Sequence, residues 1–285
     1  MGGKAIGTTQ VRQANVNAPA IPARTRTRET GRFLTRGQLV ARSAYWLASL
    51  VTRHDPDRST PLAAGVMREL DVLGFGAIRL VGASAILAGL ITVFQVAYQL
   101  APYGAEVVSA RAVAWFAARE IGPVVVAILV VARSAAAIAG EFASMSANGE
   151  IDALRAMGLD PVKYLVVPKL AALLIALPAL TSLAIALAIV GGWIGNSVIL
   201  GFNTALYLEH LHESLAIRDV GVGLAKSVIF AILIALAAAD EGLGVERRVS
   251  AIGSAATRAV VHCMIGVLAA DTVVNAFVYF IPGLW

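Results

Sequence analysis

Five stretches of this chain stay apolar for about 20 residues, the length a helix needs to cross the ~30 Å hydrocarbon layer of a bilayer. They cover 77–100, 120–140, 162–199, 220–239 and 258–281. The third is far longer than one crossing requires. It predicts either one long tilted helix reaching beyond the membrane or a helix broken near Pro178 or Gly191-Gly192. Upstream the pattern changes. Across 33–52, apolar Phe33, Leu34, Leu39, Val40, Tyr45, Trp46 and Leu50 recur at roughly helical spacing, with Arg36 and Arg42 between them. That spacing predicts an amphipathic helix in the headgroup layer; a soluble amphipathic helix packed on the rest is the competing reading. Residues 1–32 are rich in Thr, Arg, Pro and Asn without periodicity, which predicts a disordered, basic cytoplasmic tail. The expected organisation is therefore a tail at 1–32, an interfacial helix and connector at 33–76, and a transmembrane domain at 77–285. The fold class expected is an all-α integral membrane protein.

Composition agrees with this pattern. The 285 residues are 58% hydrophobic and 14% charged, with a mean hydropathy of +0.77. Soluble domains carry roughly 25% charged residues. One soluble core cannot absorb such a surplus of apolar side chains. The net charge of +5 invites a nucleic-acid reading, but its position argues for a membrane. Many basic residues, from Lys4 to Arg79, precede residue 80. A basic flank before apolar spans marks the cytoplasmic side. With the amino terminus inside, 141–161 and 240–257 are cytoplasmic, with Arg155, Arg247 and Arg248. Segments 101–119 and 200–219 then lie outside with Arg111, Arg119 and Arg218, and the carboxyl terminus is periplasmic. No apolar signal-peptide core occurs in residues 1–40. Ile6 breaks the myristoylation pattern.

Chemistry is sparse. Gly221-Val-Gly-Leu-Ala-Lys226-Ser227 resembles a phosphate loop, but Ala225 and Val220 stand where that loop requires glycine. No nucleotide site follows. Glu209-His210-Leu-His212-Glu213 offers metal-ligand side chains, although on a helix only some share a face, and a solvated external helix is the better reading. Lone Cys263 reads as core, and His262 as hydrogen-bonded within the bundle. No nucleophile–base pair appears, so no catalytic residue is assigned and the chain is read as a non-enzyme without cofactor or metal of its own.

Charges inside apolar runs are costly and face a partner or a cavity. Arg133, Lys226 and Asp271 are of this kind, with Glu120 and Asp219 nearer the span ends. Lys226 and Asp271 occupy adjacent spans, which predicts an ion pair serving either bundle stability or transport. Small residues recur at four-residue spacing as Ala132, Ala136, Gly140 and as Gly191, Gly195. The spacing permits close helix approach, within one chain or between two.

The segment between the second and third spans carries the most information. Ile151, Leu154 and Met157 lie close to one helical face, and Asp152 and Arg155 stand three apart. Gly158 suits the position just past a helix end. Asp160 then caps the next helix, with Pro161 in its first turn. A short cytoplasmic helix joined rigidly to two spans is expected, with an exposed apolar face for a soluble partner.

The residues Gly122-Pro123-Val124, Ala132-Arg133-Ser134, Ala139-Gly140-Glu141, Glu150-Ile-Asp-Ala-Leu-Arg-Ala-Met-Gly-Leu-Asp-Pro161, Tyr164 to Pro168, Lys226 to Phe230 and Thr257 to His262 form a specific set. On these the chain, from about 66 to 280, resembles the MlaE/YrbE-type permeases of MCE-associated ABC systems. The resemblance implies a permease of five membrane helices plus an interfacial helix, working as a homodimer in the inner membrane. It implies an ABC ATPase, which binds the ATP and Mg, docked on the 141–160 loop through a coupling helix. Glu141, Met145, Glu150, Ile151, Asp152, Leu154, Met157 and Asp160 belong to that coupling segment. It further implies a periplasmic MCE-domain partner, an accompanying STAS-domain protein, and a phospholipid or related lipid moved between inner and outer membranes. Lipid-binding residues stay unassigned. The rival expectation is an ion-coupled secondary transporter using Arg133, Lys226 and Asp271.

Overall fold

The structure is a computed structural model, and it describes residues 41, 45, 56–103, 109–201, 203–245 and 251–280. The expected tail at 1–32 lies outside the described residues, as does the expected interfacial helix at 33–52 apart from helical, exposed Ala41 and Tyr45. Among the described residues the regular structure is helical throughout. The helices are α1 (Pro56–Leu73), α2 (Ile78–Leu100), α3 (Ser109–Ala147), α4 (Glu150–Ala156), α5 (Val162–Ile199), α6 (Thr204–Ser214), α7 (Ile217–Leu243) and α8 (Ala251–Phe280).

Five helical runs are long and apolar enough to cross a membrane: Ala63–Tyr103, Ser109–Ala147, Val162–Ile199, Ile217–Leu243 and Ala251–Phe280. The expected spans fall within these runs, apart from residue 281, which lies outside the described residues, and most of the helices extend further. The second begins at Ser109, so residues 109–119, read from their polarity as part of an external loop, continue the helix. Helices extend past the apolar window because their backbone hydrogen bonds need no lipid, only a chain free of breakers.

The third region is unbroken. Pro178 sits within α5, and the Ser182 hydroxyl donates to the Pro178 carbonyl at 3.0 Å. Widened π-helical turns occur at Ala117–Val125, which contains Pro123, at Val131–Ala135, at Val162–Val166 and at Ile194–Ile199. A proline ring and its missing N–H fit such a turn without ending the helix.

The connector contains α1, which continues through a 3₁₀ turn, Phe75–Ala77, into α2. The two follow α5 in the same direction. Gly65 lies beside Pro168, Gly74 beside Ala176, and Gly195 beside Val93. The closest approach is reciprocal: a side chain at Gly89 would strike the Ala188 backbone, and one at Gly191 the Ile86 backbone. Glycine is required there because two helix backbones touch with no hydrophobic force to draw them together in lipid. The Gly191, Gly195 spacing thus serves packing within one chain.

The core runs between α3, α5 and α7, where Val130, Phe142, Leu173, Leu177, Phe230 and Ile234 are fully enclosed. α8 packs on this core by a narrow stripe, Ala255, Ala259, Cys263 and Val267, and turns Val261, Ile265, Leu268, Val273 and Phe277 outward.

Candidate functional site

The charged residues collect at two levels of the bundle. At the α6 end, Lys226 is fully enclosed, and its ammonium lies 2.7 Å from Asp271 Oδ1 and 3.0 Å from Glu120 Oε1. It also donates to the Arg119 carbonyl at 2.9 Å. Asn275 donates to both carboxylates, at 3.1 Å each. The contact with Asp271 Oδ1 is an ion pair without hydrogen-bond alignment. One ammonium therefore faces two carboxylates, so the group holds excess negative charge unless a proton is shared between them. Beside it the buried Arg119 guanidinium donates to Asp219 Oδ1 at 2.7 Å and lies over the Trp115 ring, 5.4 Å from its centre.

At the α4 end, buried Lys169 bridges Glu69 of α1 and Glu141 of α3, each at 2.9 Å. Nearby, Glu241 of α7 accepts from Arg258 at 3.0 Å and bonds His262 Nδ1 at 2.8 Å, tying α7 to α8. At 1.5 Å per residue, Arg119 and Glu141 on α3 are about 33 Å apart. That distance is comparable to the ~30 Å of a hydrocarbon layer.

Between α3 and α5 lies a tightly specified turn. Gly149 has φ 77° and Gly158 has φ 76°, the left-handed conformation that glycine adopts without strain. Leu159 N–H donates to the Leu154 carbonyl at 3.0 Å and Gly158 N–H to that of Arg155 at 2.9 Å, the paired closure of a Schellman motif. Asp160 then caps α5, accepting from Val162 N–H at 3.0 Å. Asp152 and Arg155 pair at 3.9 Å across one turn of α4. With both ends closed, α4 is fixed to α3 and α5.

These elements match the family described as Permease MlaE, over residues 66–277. The chain belongs to that family. The permease is 29% identical over 214 residues to a "probable ABC transporter permease protein" of Rickettsia typhi, covering 75% of this chain and 83% of that protein. It is 30% identical over 210 residues to the corresponding Rickettsia conorii protein, covering 74% and 81%. It is 28% identical over 215 residues to the intermembrane phospholipid transport system permease protein MlaE of Haemophilus influenzae, covering 75% and 82%. The chain is thus a multi-pass ABC transporter permease of the MlaE type.

Within this permease the residues singled out by sequence are placed as follows. Lys226 and Asp271 meet, and Glu120 joins them. Arg133 does not; it is exposed on α3, with its guanidinium against Gly76. In the α4 segment the expected apolar docking face divides. Ile151 and Leu154 are buried in the chain's own core, whereas Met157 is 65% exposed and Leu159 44%. Expecting Ile151 to be exposed was an error, because α4 folds back and its first turn closes the bottom of the core. Met145 also packs on that core. Glu150 is exposed, Asp152 and Asp160 half-buried, and Glu141 is held by Lys169. His262 is not enclosed in the bundle but lies on its rim, bonded to Glu241. Glu213 pairs with Arg111 at 3.0 Å, and Glu209 and His212 are exposed. The Gly221–Ser227 segment lies inside α7, its backbone N–H groups spent on the helix.

Sequence reading missed Lys169 and Arg119 as buried ion-pair members and Asn275 as a bridging donor. Lys169 stands in an apolar run, so the rule that singled out Lys226 applied to it equally. Arg119 was hidden by counting it in a loop. Asn275 carried no charge to flag it.

Proposed function

We propose that this permease forms the membrane path of an ATP-driven transporter for phospholipid or a related lipid, moving it between inner and outer membranes. A separate ABC ATPase supplies the energy and binds the ATP and Mg. What carries this reading is the α4 turn. Gly149 N–H donates to the Ser146 carbonyl of α3, Gly158 and Leu159 N–H close the last turn of α4 on itself, and the Asp160 carboxylate caps α5; the outward residues of the turn include Glu150, Arg155, Met157 and Leu159. A partner gripping that turn would move two spans together. Membership of the MlaE family and the phospholipid transport role named for the Haemophilus relative support the cargo class.

The transporter works in the inner membrane as a pair of copies. In support, exposed Ala132 and half-buried Ala136 stand on α3 in line with Gly140, around whose missing side chain the chain leaves open space. The α4 end faces the cytoplasm and the α6 end the periplasm, in keeping with the charge bias. An MCE-domain protein meets the periplasmic face, and a STAS-domain protein accompanies the ATPase. Apolar walls recognise acyl tails with little chemical selectivity, so broad lipid specificity follows.

The test is reconstitution in liposomes with the ATPase and labelled phospholipid. ATP-dependent movement of the label is expected. Transport by this chain alone, driven by an ion gradient, would instead establish a secondary transporter built on the Glu120–Lys226–Asp271 group.

A further inference from the structure

The buried charges of the bundle have opposite partners: Lys226 with Glu120 and Asp271, Arg119 with Asp219, Lys169 with Glu69 and Glu141. Arg133 has none among the described residues. It is exposed, and its guanidinium lies against Gly76, where a methyl group would occupy the same space. Gly76 itself is exposed, and the 3₁₀ turn it belongs to joins α1 to α2. Arg133 belongs to neither charged level. On α3 it stands about 12 Å inside the Glu141 level and about 20 Å from Glu120, at 1.5 Å per residue. Gly76 is at a matching depth, since its neighbour Gly74 packs on Ala176, about 10 Å along α5 from Lys169. An arginine held at that depth needs an anion or water.

The surroundings are apolar. Phe75 is 63% exposed, and Ile78 and Leu80 are also exposed, while Arg79 follows one turn beyond Gly76. A guanidinium bordered by open apolar surface fits a ligand with an anionic head and apolar tails. A guanidinium also binds phosphate by two parallel N–H bonds.

We infer that Arg133, in the notch left by Gly76, binds the phosphodiester head of a phospholipid drawn in from the α4-side leaflet. This deepens the lipid-transport reading and rests on it for the lipid's route, but the site itself is testable without transport.

The experiment compares lipid retention by the full chain in detergent, using native mass spectrometry with phosphatidylglycerol and a phosphate-free diglucosyl diacylglycerol. The wild-type chain is expected to prefer phosphatidylglycerol. Arg133→Gln should reduce that preference at least about tenfold, the loss expected for a charge-assisted contact. Arg133→Lys should retain part of it, and Gly76→Val, which displaces the guanidinium, should lower it while keeping the charge. If Arg133→Gln does not insert, the lysine and Gly76 variants carry the test.

An unchanged preference in these variants overturns the site. So does displacement of the lipid by excess inorganic phosphate, which would identify a free anion as the ligand. Loss of dimer with unchanged lipid preference also overturns it, because the missing partner would then be on a second copy. Unchanged preference with intact ATP-driven transport sinks this site alone. A lost preference in a wild-type-like assembly that never transports lipid leaves the site standing and removes the transport reading.

Discussion

Removing the Lys226 ammonium tests the charged group inside the bundle. Lys226 is enclosed on all sides and contacts Glu120, Asp271 and the Arg119 carbonyl. Lys226→Met keeps the volume and removes the only cation among these contacts. Two carboxylates remain near each other, joined by Asn275 alone. Breaking a buried pair by deleting one partner costs about 3–5 kcal/mol. Asp271→Asn differs in kind, since it leaves Lys226 balanced by Glu120, so a loss of about 1–2 kcal/mol is expected. In the double variant the remaining carboxylate, Glu120, no longer faces a second one. The two losses should therefore be non-additive by at least about 1 kcal/mol, well above the ~0.5 kcal/mol scatter of independent sites. Equilibrium unfolding in mixed micelles across the four-protein cycle measures this. Additive losses, or Asp271→Asn costing as much as Lys226→Met, would refute the reasoning.

Met157→Glu should abolish copurification with the ATPase while leaving thermal stability unchanged, whereas Leu154→Arg should destabilise the chain itself, because Leu154 is buried and Met157 is not; equal stability of the two would contradict the described α4. Gly89→Val should cost more than the about 1–3 kcal/mol of ordinary overpacking, because the new side chain meets the Ala188 backbone rather than a movable side chain; a thermal melt in detergent reads it. Burial pushes the Tyr207 phenol from 10.0 up to about 12, and its hydroxyl donates to the Ile189 carbonyl at 3.2 Å. A raised folded-state value means the unfolded chain ionises first. The stability from Tyr207 is then full below pH 10.0 and is lost as the pH rises toward about 12. Tyr207→Phe should flatten the alkaline side of a stability profile, and an identical profile would show that the ring is not shielded.

What the sequence determined by itself was the choice of solvent and the elements that follow from it. Transfer into lipid is a sum over neighbouring residues, so 77–100, 162–199 and the other runs declared themselves without any knowledge of their partners. The α4 turn was equally local: Gly158 and Asp160 act on backbone groups a few residues away, and those hydrogen bonds form as the order of residues predicts. Tertiary structure decided everything that depends on which helix lies alongside which. Ile151, Leu154 and Met157 share a face in sequence, yet only packing separates the two that close the core from the one that meets solvent. Lys169 and Arg119 became ion-pair members because α1 and α7 bring Glu69 and Asp219 to them across about 100 residues, a distance over which periodicity carries no signal. Arg133 shows the same division: its place in an apolar run was visible in the chain, but that no described residue pairs with it is a property of the folded bundle alone.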